Sequence, residues 1–147
     1  MVTGLNHVTL AVRDLDRSFR FYTEALGLRP AARWYRGAYL LAGPDWICLN
    51  YDPQARSVAL AEYTHVAFSV ALSEIDDLEK RLRDYGAIPW QENRSPGRSF
   101  YFLDPDGHKL ELHCSDLQSR LEEFKRQPPR ELIIYSMPSP EVHQKVE

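Results

Sequence analysis

The chain has few of the features that mark secreted, membrane-spanning or nucleic-acid-binding proteins. Its 147 residues include only 2 cysteines, too few for a disulfide framework, so a reduced cytoplasmic location is expected. No apolar run approaches the ~20 residues of a membrane-spanning helix, and we expect no signal peptide at the N-terminus. The net charge is −3 without a long basic run, which argues against nucleic acid and membrane partners.

An internal repeat is the most informative feature of what is present. Residues 6–12 read NHVTLAV and residues 64–70 read THVAFSV, so both segments have the form polar-His-Val-x-apolar-x-Val. Such a repeat predicts that one structural unit occurs twice. With 44% hydrophobic residues the chain can bury a core, either as one domain or as two very small ones.

An amphipathic helix is predicted after each histidine strand. Apolar residues three and four positions apart form one helix face in each repeat: Leu15, Phe19, Tyr22 and Leu26, then Ile75, Leu78, Leu82 and Tyr85. Asp14 is a predicted N-cap, and Ser73 with Asp76 resembles a capping box. Gly27 and Gly86 are predicted to end the two helices.

Three strand-like segments follow each helix, and Asp104–Gly107 is a strong turn signal between the last two. The predicted strands are Ala31–Tyr35, Ala38–Leu41 and Trp46–Tyr51, then Ile88–Gln91, Ser99–Leu103 and Lys109–Cys114. The chain therefore reads as an α+β fold of two βαβββ modules, 1–52 and 63–114. A C-terminal helix over 115–126 and an irregular tail over 127–147 complete the prediction.

Candidate metal ligands follow from the two-residue period of strands. His7 shares a face with Thr9, and Glu111 shares a face with His113. We expect His7 and His65 to face inward at equivalent places in the two repeats. Two histidines and one carboxylate with open positions suit a divalent metal that also binds substrate.

Alternatives to this metal site stay open at the level of the residues. Each histidine could be a hydrogen-bonded structural residue, and His113 could replace Glu111 as third ligand. His108 follows a turn and His143 lies in the tail, so both are expected to be solvated.

Several stretches over roughly residues 1–126 resemble one known superfamily. They are GLNHVTLAV, ARWYRGAYL, DWICL, YTHVAFSV, ENRSPGRSFYFLDPDGHKLELH and LQSRL. They resemble the vicinal oxygen chelate superfamily, and the fosfomycin-resistance glutathione transferases in particular. The resemblance implies a Mn²⁺ ion held by His7, His65 and Glu111. It also implies a domain-swapped homodimer, in which each site takes His7 from one chain and the other two ligands from its partner.

The same resemblance implies the reaction and its residues. Fosfomycin and glutathione would be the substrates, and the epoxide would open under thiolate attack with the metal as Lewis acid. Thr9 and Tyr39 match catalytic positions, and Trp34 and Cys48 match positions that line the thiol side. Substrate-binding positions match Trp46, Gln91, Ser95, Ser99, Tyr101 and Arg120. A loop that binds K⁺ in the family matches Asn93, Ser95, Gly97 and Ser99.

Two positions depart from the family pattern. Gln91 stands where the family usually has a lysine that contacts the phosphonate, and losing that charge would weaken binding by about 1–2 kcal/mol. Arg94 or Arg98 could compensate because both lie close in sequence. Pro96 replaces a residue of the K⁺ loop that is usually acidic.

Other functions compete with the transferase. A hydrolase would need a glutamate near residues 36–39, where none stands, and the pattern of Trp34, Tyr39 and Trp46 favours glutathione over bacillithiol or cysteine. An extradiol dioxygenase could use the same ligand set but would leave the phosphonate-binding cluster unexplained. An antibiotic-binding protein without turnover would not need a complete ligand set.

Overall fold

Two sheets with the same strand order form the body of the molecule. The computed structural model describes residues 1–94 and 96–136. The first module contains β1 (His7–Val12), α1 (Leu15–Arg20), a π-helical turn (Phe21–Ala25), β2 (Arg29–Trp34), β3 (Gly37–Ala42) and β4 (Asp45–Tyr51). The second contains β5 (Val66–Ser69), α2 (Ile75–Asp84), β6 (Pro89–Gln91), β7 (Ser99–Leu103) and β8 (Lys109–His113).

The strand orders are β1-β4-β3-β2 and β5-β8-β7-β6. In each sheet the first pair is parallel and the other pairs are antiparallel. This is the predicted α+β fold with a duplicated βαβββ module. His65 immediately precedes β5, and Glu111 lies in the neighbouring β8.

The helix ends follow the sequence except at the start of α2, and Gly86, with a positive φ of 99°, ends α2 as predicted. The Asp14 side chain accepts a 2.9 Å hydrogen bond from the backbone N–H of Arg17, as a capping residue should. The predicted capping box at Ser73 is wrong, because α2 begins after Glu74, whose side chain makes no capping bond. Asp76 instead forms a 2.9 Å ion pair with Arg98. This contact is charge-assisted at both ends, whereas a capping bond to a backbone N–H would involve only one charge.

The core lies on one face of each sheet, between the sheets and the helices. Alternation along β1 buries Leu10 and Val12 and directs His7 and Thr9 to the opposite face, where both are exposed. The two modules share one core, which includes Phe21, Leu49, Phe68, Phe102, Leu110 and Leu112. The histidine-bearing face of each sheet is therefore the face away from the core, so within one chain His7 does not face inward.

A polar network joins the modules beneath α1. Asp106 is fully buried and accepts hydrogen bonds from the backbone N–H of Arg13 and the hydroxyl of Ser18, at 3.0 and 3.1 Å. Tyr22, also fully buried, donates a 2.7 Å hydrogen bond to Asp104. Burial and the Asp104 carboxylate raise the pKa of Tyr22, and burial also raises the pKa of Asp104. Since buried polar groups need partners, these contacts specify how the modules pack.

The turn between β7 and β8 is more deeply packed than the sequence indicated. His108 was expected in solvent, and that expectation is wrong: its side chain is buried and its Nε2 lies 2.7 Å from the carbonyl oxygen of Ala11. Gly107 has a positive φ of 89°, and a Cβ there would lie 2.4 Å from the backbone of Val58. The linker between the modules therefore packs directly on this turn.

The described residues from 116 to 136 belong to a second compact unit. Its helix α3 (Leu117–Arg126) is capped by Asp116, which accepts a 2.8 Å hydrogen bond from the backbone N–H of Ser119. Residues 127–136 contain neither helix nor strand. The remaining tail, with His143, lies outside the described residues. None of the described helices has the length and apolar character needed to cross a membrane.

Candidate metal and substrate site

His65 and Glu111 form the second module's half of the candidate metal centre. The Nε2 atom of His65 lies 3.0 Å from Oε2 of Glu111, and its Nδ1 lies 3.1 Å from the carbonyl oxygen of Tyr63. When Nδ1–H donates to that carbonyl, Nε2 carries no hydrogen and presents a lone pair to the carboxylate oxygen. Both atoms are then acceptors, so a cation between them would satisfy both. Neighbouring ligands of an octahedral divalent ion with bonds of about 2.0–2.1 Å stand about 3 Å apart. These two groups therefore fit a shared metal ion.

The environment of Glu111 keeps its carboxylate available as a ligand. The residue is only 5% exposed, and burial alone would raise the pKa of its carboxyl group. Hydrogen bonds from Ser99 and Tyr101, together with His113, outweigh burial and lower the pKa. The carboxylate is therefore ionised at neutral pH, as metal ligation requires.

His7 forms the other half of the candidate centre, on the first module. Its Nδ1 lies 2.7 Å from Oδ1 of Asn6, so this histidine, like His65, has Nδ1 next to an oxygen acceptor and Nε2 left for a metal. Thr9 lies on the same face of β1, opposite Cys48 of β4. Among residues 1–94 and 96–136 no group of three His, Cys, Asp or Glu side chains is close enough to hold a metal. A single chain therefore separates His7 from the other two predicted ligands.

A row of aromatic rings crosses the open face of the first sheet, starting at His7. The ring of His7 lies 4.5 Å from that of Trp46, Trp46 lies 4.8 Å from Tyr39, and Tyr39 lies 4.7 Å from Trp34. The structure thus brings together the three aromatic residues predicted for the thiol and substrate side. Gly37 makes this possible, because a Cβ there would lie 2.5 Å from the indole of Trp34.

Trp46 carries an unsatisfied donor on this face. Its Nε1 atom is buried and, in the part of the chain that the structure describes, has no hydrogen-bond partner. A buried donor without an acceptor costs roughly 1–3 kcal/mol. An acceptor from a bound molecule or from a second chain would remove that cost.

The second sheet carries three of the predicted phosphonate-binding residues on the same face as Glu111. Tyr101 and Ser99 are almost fully buried, at 1% and 2% exposure, and lie opposite Glu111 and His113 in the β7–β8 register. Gln91 lies opposite Tyr101. Ser95 lies outside the described residues, and Arg120 lies on α3 in the second unit.

The predicted cation loop is held by a contact within it. The Asn93 side chain donates a 2.8 Å hydrogen bond to the carbonyl oxygen of Gly97. Gly97 has a positive φ of 87°, which favours glycine and bends the backbone sharply. A K⁺ site in this loop stays a prediction from the family resemblance.

Arg98 is not placed to replace the missing lysine. Its guanidinium forms ion pairs with Asp76 and Glu79 of α2 and donates to the backbone oxygen of Ser99 at 2.9 Å. The suggestion that Arg98 compensates for Gln91 is therefore wrong for this structure, since its charge is directed at two carboxylates. Gln91 itself donates a 3.3 Å hydrogen bond to the hydroxyl of Tyr63.

Two aromatic residues near His65 were missed by sequence reasoning. The rings of Tyr63 and Trp90 lie 5.1 and 5.7 Å from that of His65, and Trp90 also lies 5.2 Å from Tyr101. Tyr63 could have been found, because it stands two residues before His65 and shares its face. Trp90 could not, because a register shift between Pro89 and Gln91 interrupts the alternation of β6.

Comparisons with known proteins agree with this architecture. The family model described as the Glyoxalase/Bleomycin resistance protein/Dioxygenase superfamily matches residues 4–112. Glutathione transferase FosA of Serratia marcescens is 48% identical over 138 residues, covering 92% of this chain and 98% of that protein. Metallothiol transferase FosB of Shouchella clausii is 36% identical over 138 residues, covering 90% of this chain and 94% of that protein.

A solved structure shares the fold over nearly its whole length. The fosfomycin resistance protein FosX of Listeria monocytogenes, complexed with Mn(II) and sulfate ion, matches with a TM-score of 0.74 at 30% identity. The match covers 84% of this chain and 99% of that chain. This chain therefore belongs to the Glyoxalase/Bleomycin resistance protein/Dioxygenase superfamily and, within it, to the fosfomycin resistance proteins.

Proposed function

We propose that this protein inactivates fosfomycin by adding the sulfur of glutathione to the epoxide in a metal-dependent reaction. The observation that carries the proposal is the pair of complementary half-sites within one chain. One half pairs His65 with Glu111 at 3.0 Å, and the other places His7 and Thr9 beside a row of aromatic rings. The 48% identity to a glutathione transferase supports glutathione as the thiol.

The two halves are proposed to meet across a homodimer. Each complete site would combine His7 of one protomer with His65 and Glu111 of the other. The exposed aromatic face of the first sheet supports this, since Trp34 and Tyr39 are 44% and 36% exposed in one chain. Exposed apolar surface of this kind commonly marks an interaction site. The unsatisfied Nε1 of Trp46 points to the same conclusion.

The proposed metal is Mn²⁺, held by His7, His65 and Glu111. A divalent cation in that position would supply Lewis-acid polarisation of the epoxide oxygen. Thr9, on the same face of β1 as His7, would donate a hydrogen bond to the oxygen as the ring opens. The C–S bond forms while the C–O bond breaks, and the oxygen then takes a proton from solvent to become a hydroxyl.

The aromatic row is proposed to bind the thiol. Trp34 and Trp46 would pack against the glutathione backbone, and the Tyr39 hydroxyl would donate a hydrogen bond to the attacking thiolate. Cys48, a free thiol opposite Thr9, would line the same side. Since glutathione is kept reduced in the cytoplasm, a cytoplasmic location is part of the proposal.

The phosphonate is proposed to bind on the second sheet. Tyr101, Ser99 and Gln91 offer hydroxyl and amide donors on the face that carries Glu111. Ser95 and Arg120 stay predictions from the family resemblance. A K⁺ ion in the loop from Asn93 to Ser99 would add positive charge near the phosphonate.

The experiment is phosphorus NMR of fosfomycin incubated with the Mn²⁺-loaded protein and K⁺. One tube contains glutathione, a second contains cysteine, and a third contains no thiol. An adduct signal that requires both metal and glutathione is the expected result. Product in the tube without thiol would show that the reaction is hydrolysis. Product in the cysteine tube but not in the glutathione tube would show that glutathione is not the thiol. No turnover in any tube would contradict the proposed reaction.

A further inference from the structure

His113 lies behind the proposed metal ligand Glu111, on the side away from His65. Alternation along β8 places Glu111 and His113 on one face, and His113 lies opposite Ser99 in the β7–β8 register. The Nδ1 atom of His113 lies 2.9 Å from Oε1 of Glu111 and 2.7 Å from the hydroxyl oxygen of Ser99. The other carboxylate oxygen of Glu111, Oε2, faces His65.

The chemistry of these groups fixes the hydrogen positions. An ionised carboxylate can only accept hydrogen bonds, so Nδ1 of His113 carries the hydrogen that lies between it and Glu111. Ser99 Oγ, close to the same N–H, then accepts from it as well. The hydrogen of the Ser99 hydroxyl is free to donate, and it is directed to Glu111.

We propose that His113 is a positioning residue for the metal centre, whose Nδ1–H holds Oε1 of Glu111 so that Oε2 stays directed at the metal beside His65. This inference rests on the proposed function, which makes Glu111 a ligand. It assigns to His113 the role that outer-shell donors have at other metal sites, where they orient a ligand and raise its affinity for the metal.

The role of His113 differs from that of Ser99. A serine hydroxyl has one hydrogen, so Ser99 can donate to the phosphonate only by releasing Glu111. The N–H of His113 is shared only between Glu111 and Ser99 and is not needed by the phosphonate, so it keeps Glu111 in place when substrate binds. The geometry also disfavours His113 as the third ligand, because its Nδ1 faces Glu111 and Ser99 while the contact to His65 comes from Glu111.

Three substitutions separate positioning from packing. In His113→Asn the amide nitrogen stands at the position of Nδ1 and keeps the donor. In His113→Gln the donor is displaced outward by one bond, and in His113→Leu it is removed while much of the volume stays. The readout is the Kd for Mn²⁺, measured from the electron paramagnetic resonance signal of free Mn²⁺ in titrations of the full-length protein.

We expect the Gln and Leu variants to bind Mn²⁺ about 10- to 100-fold more weakly, and the Asn variant to retain nearly full affinity. Thermal unfolding of the metal-free variants is followed in parallel. Equal Kd values for all three variants would overturn the proposal. The proposal would also be overturned if the Mn²⁺ affinity of the three variants fell in proportion to their thermal stability. In that case it would not matter which variant keeps a donor at the Nδ1 position.

Glu111→Gln distinguishes failure of this inference from failure of the proposed metal site. If Glu111→Gln binds Mn²⁺ as tightly as the unchanged protein, the ligand assignment is wrong and the role of His113 falls with it. If Glu111→Gln loses Mn²⁺ binding and His113→Leu keeps it, the ligand assignment stands and only the positioning role is wrong.

Discussion

Tyr22 and Asp104 share a 2.7 Å hydrogen bond where the two modules meet, and both side chains are buried. Tyr22→Phe removes the donor and leaves one Asp104 oxygen without that partner. A buried acceptor left unsatisfied costs about 1–3 kcal/mol, so the free energy of unfolding should fall by that amount. Urea denaturation measures the change. Tyr35→Phe is the matched control, because Tyr35 is 90% exposed and its loss should change stability very little.

If Tyr22→Phe and the unchanged protein were equally stable, the backbone donors to Asp104 would be enough to satisfy its carboxylate. Those donors are the N–H groups of Asp106 and His108, at 2.9 and 2.8 Å. The module junction would then depend on apolar packing more than on this polar network.

Glu79 gives a stability effect with a defined pH dependence. Burial raises its pKa, but Arg98 and Arg83 outweigh burial, so its pKa lies below the ordinary value of 4.5. A carboxylate with a lowered folded pKa stabilises the protein above its unfolded pKa, and this contribution is lost as the pH falls through the folded value. Glu79→Gln should therefore be less stable than the unchanged protein at pH 7, and the difference should shrink in acid.

Urea midpoints of both proteins between pH 7 and pH 3 test this prediction. Glu92→Gln serves as a control for the general effect of removing one negative charge. A stability difference for Glu79→Gln that stays constant over the whole range would show that the charge of Glu79 does not contribute to stability.

Much of the fold followed from the sequence because its signals are local. The two-residue period of the strands and the helix faces predicted both modules and grouped Glu111 with His113. The position of His108 could not be predicted, because its partner is the carbonyl of Ala11, far away in the chain. The capping box at Ser73 failed for the same reason: Asp76 pairs with Arg98, a partner that local patterns do not reveal. Contacts between segments that are distant in the chain cannot be predicted from the local patterns of a single sequence.

Substitution of Gln91 by lysine tests how the phosphonate is bound. In this structure its amide contacts the Tyr63 hydroxyl on the rim of the candidate site. Gln91→Lys adds a cation there, and a charge-assisted hydrogen bond is about twice as strong as a neutral one, so the KM for fosfomycin should fall. The KM for glutathione should not change, which serves as the internal control. An unchanged or higher KM for fosfomycin would mean that another group already supplies the charge.

Substitution of Gly37 by alanine tests whether the aromatic row binds the thiol. In Gly37→Ala the new methyl group would lie 2.5 Å from the Trp34 indole and 2.8 Å from the carbonyl oxygen of Leu49. Both the indole and the β4 backbone must shift, so the KM for glutathione should rise by a larger factor than the Kd for Mn²⁺. Gly4→Ala is the matched control, since no atom lies within 4 Å of a Cβ at that position. A normal KM for glutathione in Gly37→Ala would exclude Trp34 from the thiol site.

The shared site can be tested by complementation between two inactive variants. His7→Ala and Glu111→Gln should each abolish metal-dependent activity, because each removes one proposed ligand from both sites of the proposed homodimer. In a mixed dimer, one site combines the two altered residues and the other combines the intact His7 of one protomer with the intact Glu111 of the other. Since half of the randomly exchanged dimers are mixed, co-refolding equal amounts should restore about a quarter of the normal activity.

Recovery distinguishes a site shared by two chains from a site within one chain. If each protomer assembled its own His7, His65 and Glu111, every protomer in the mixture would still lack one ligand, and activity would stay at the level of the single variants. The control is a co-refolded mixture of His7→Ala with His65→Ala, which should recover equally, because His65 and Glu111 belong to the same half-site. A mixture of His65→Ala with Glu111→Gln should recover nothing, because each kind of protomer then carries a defective second half-site while both His7 residues are intact.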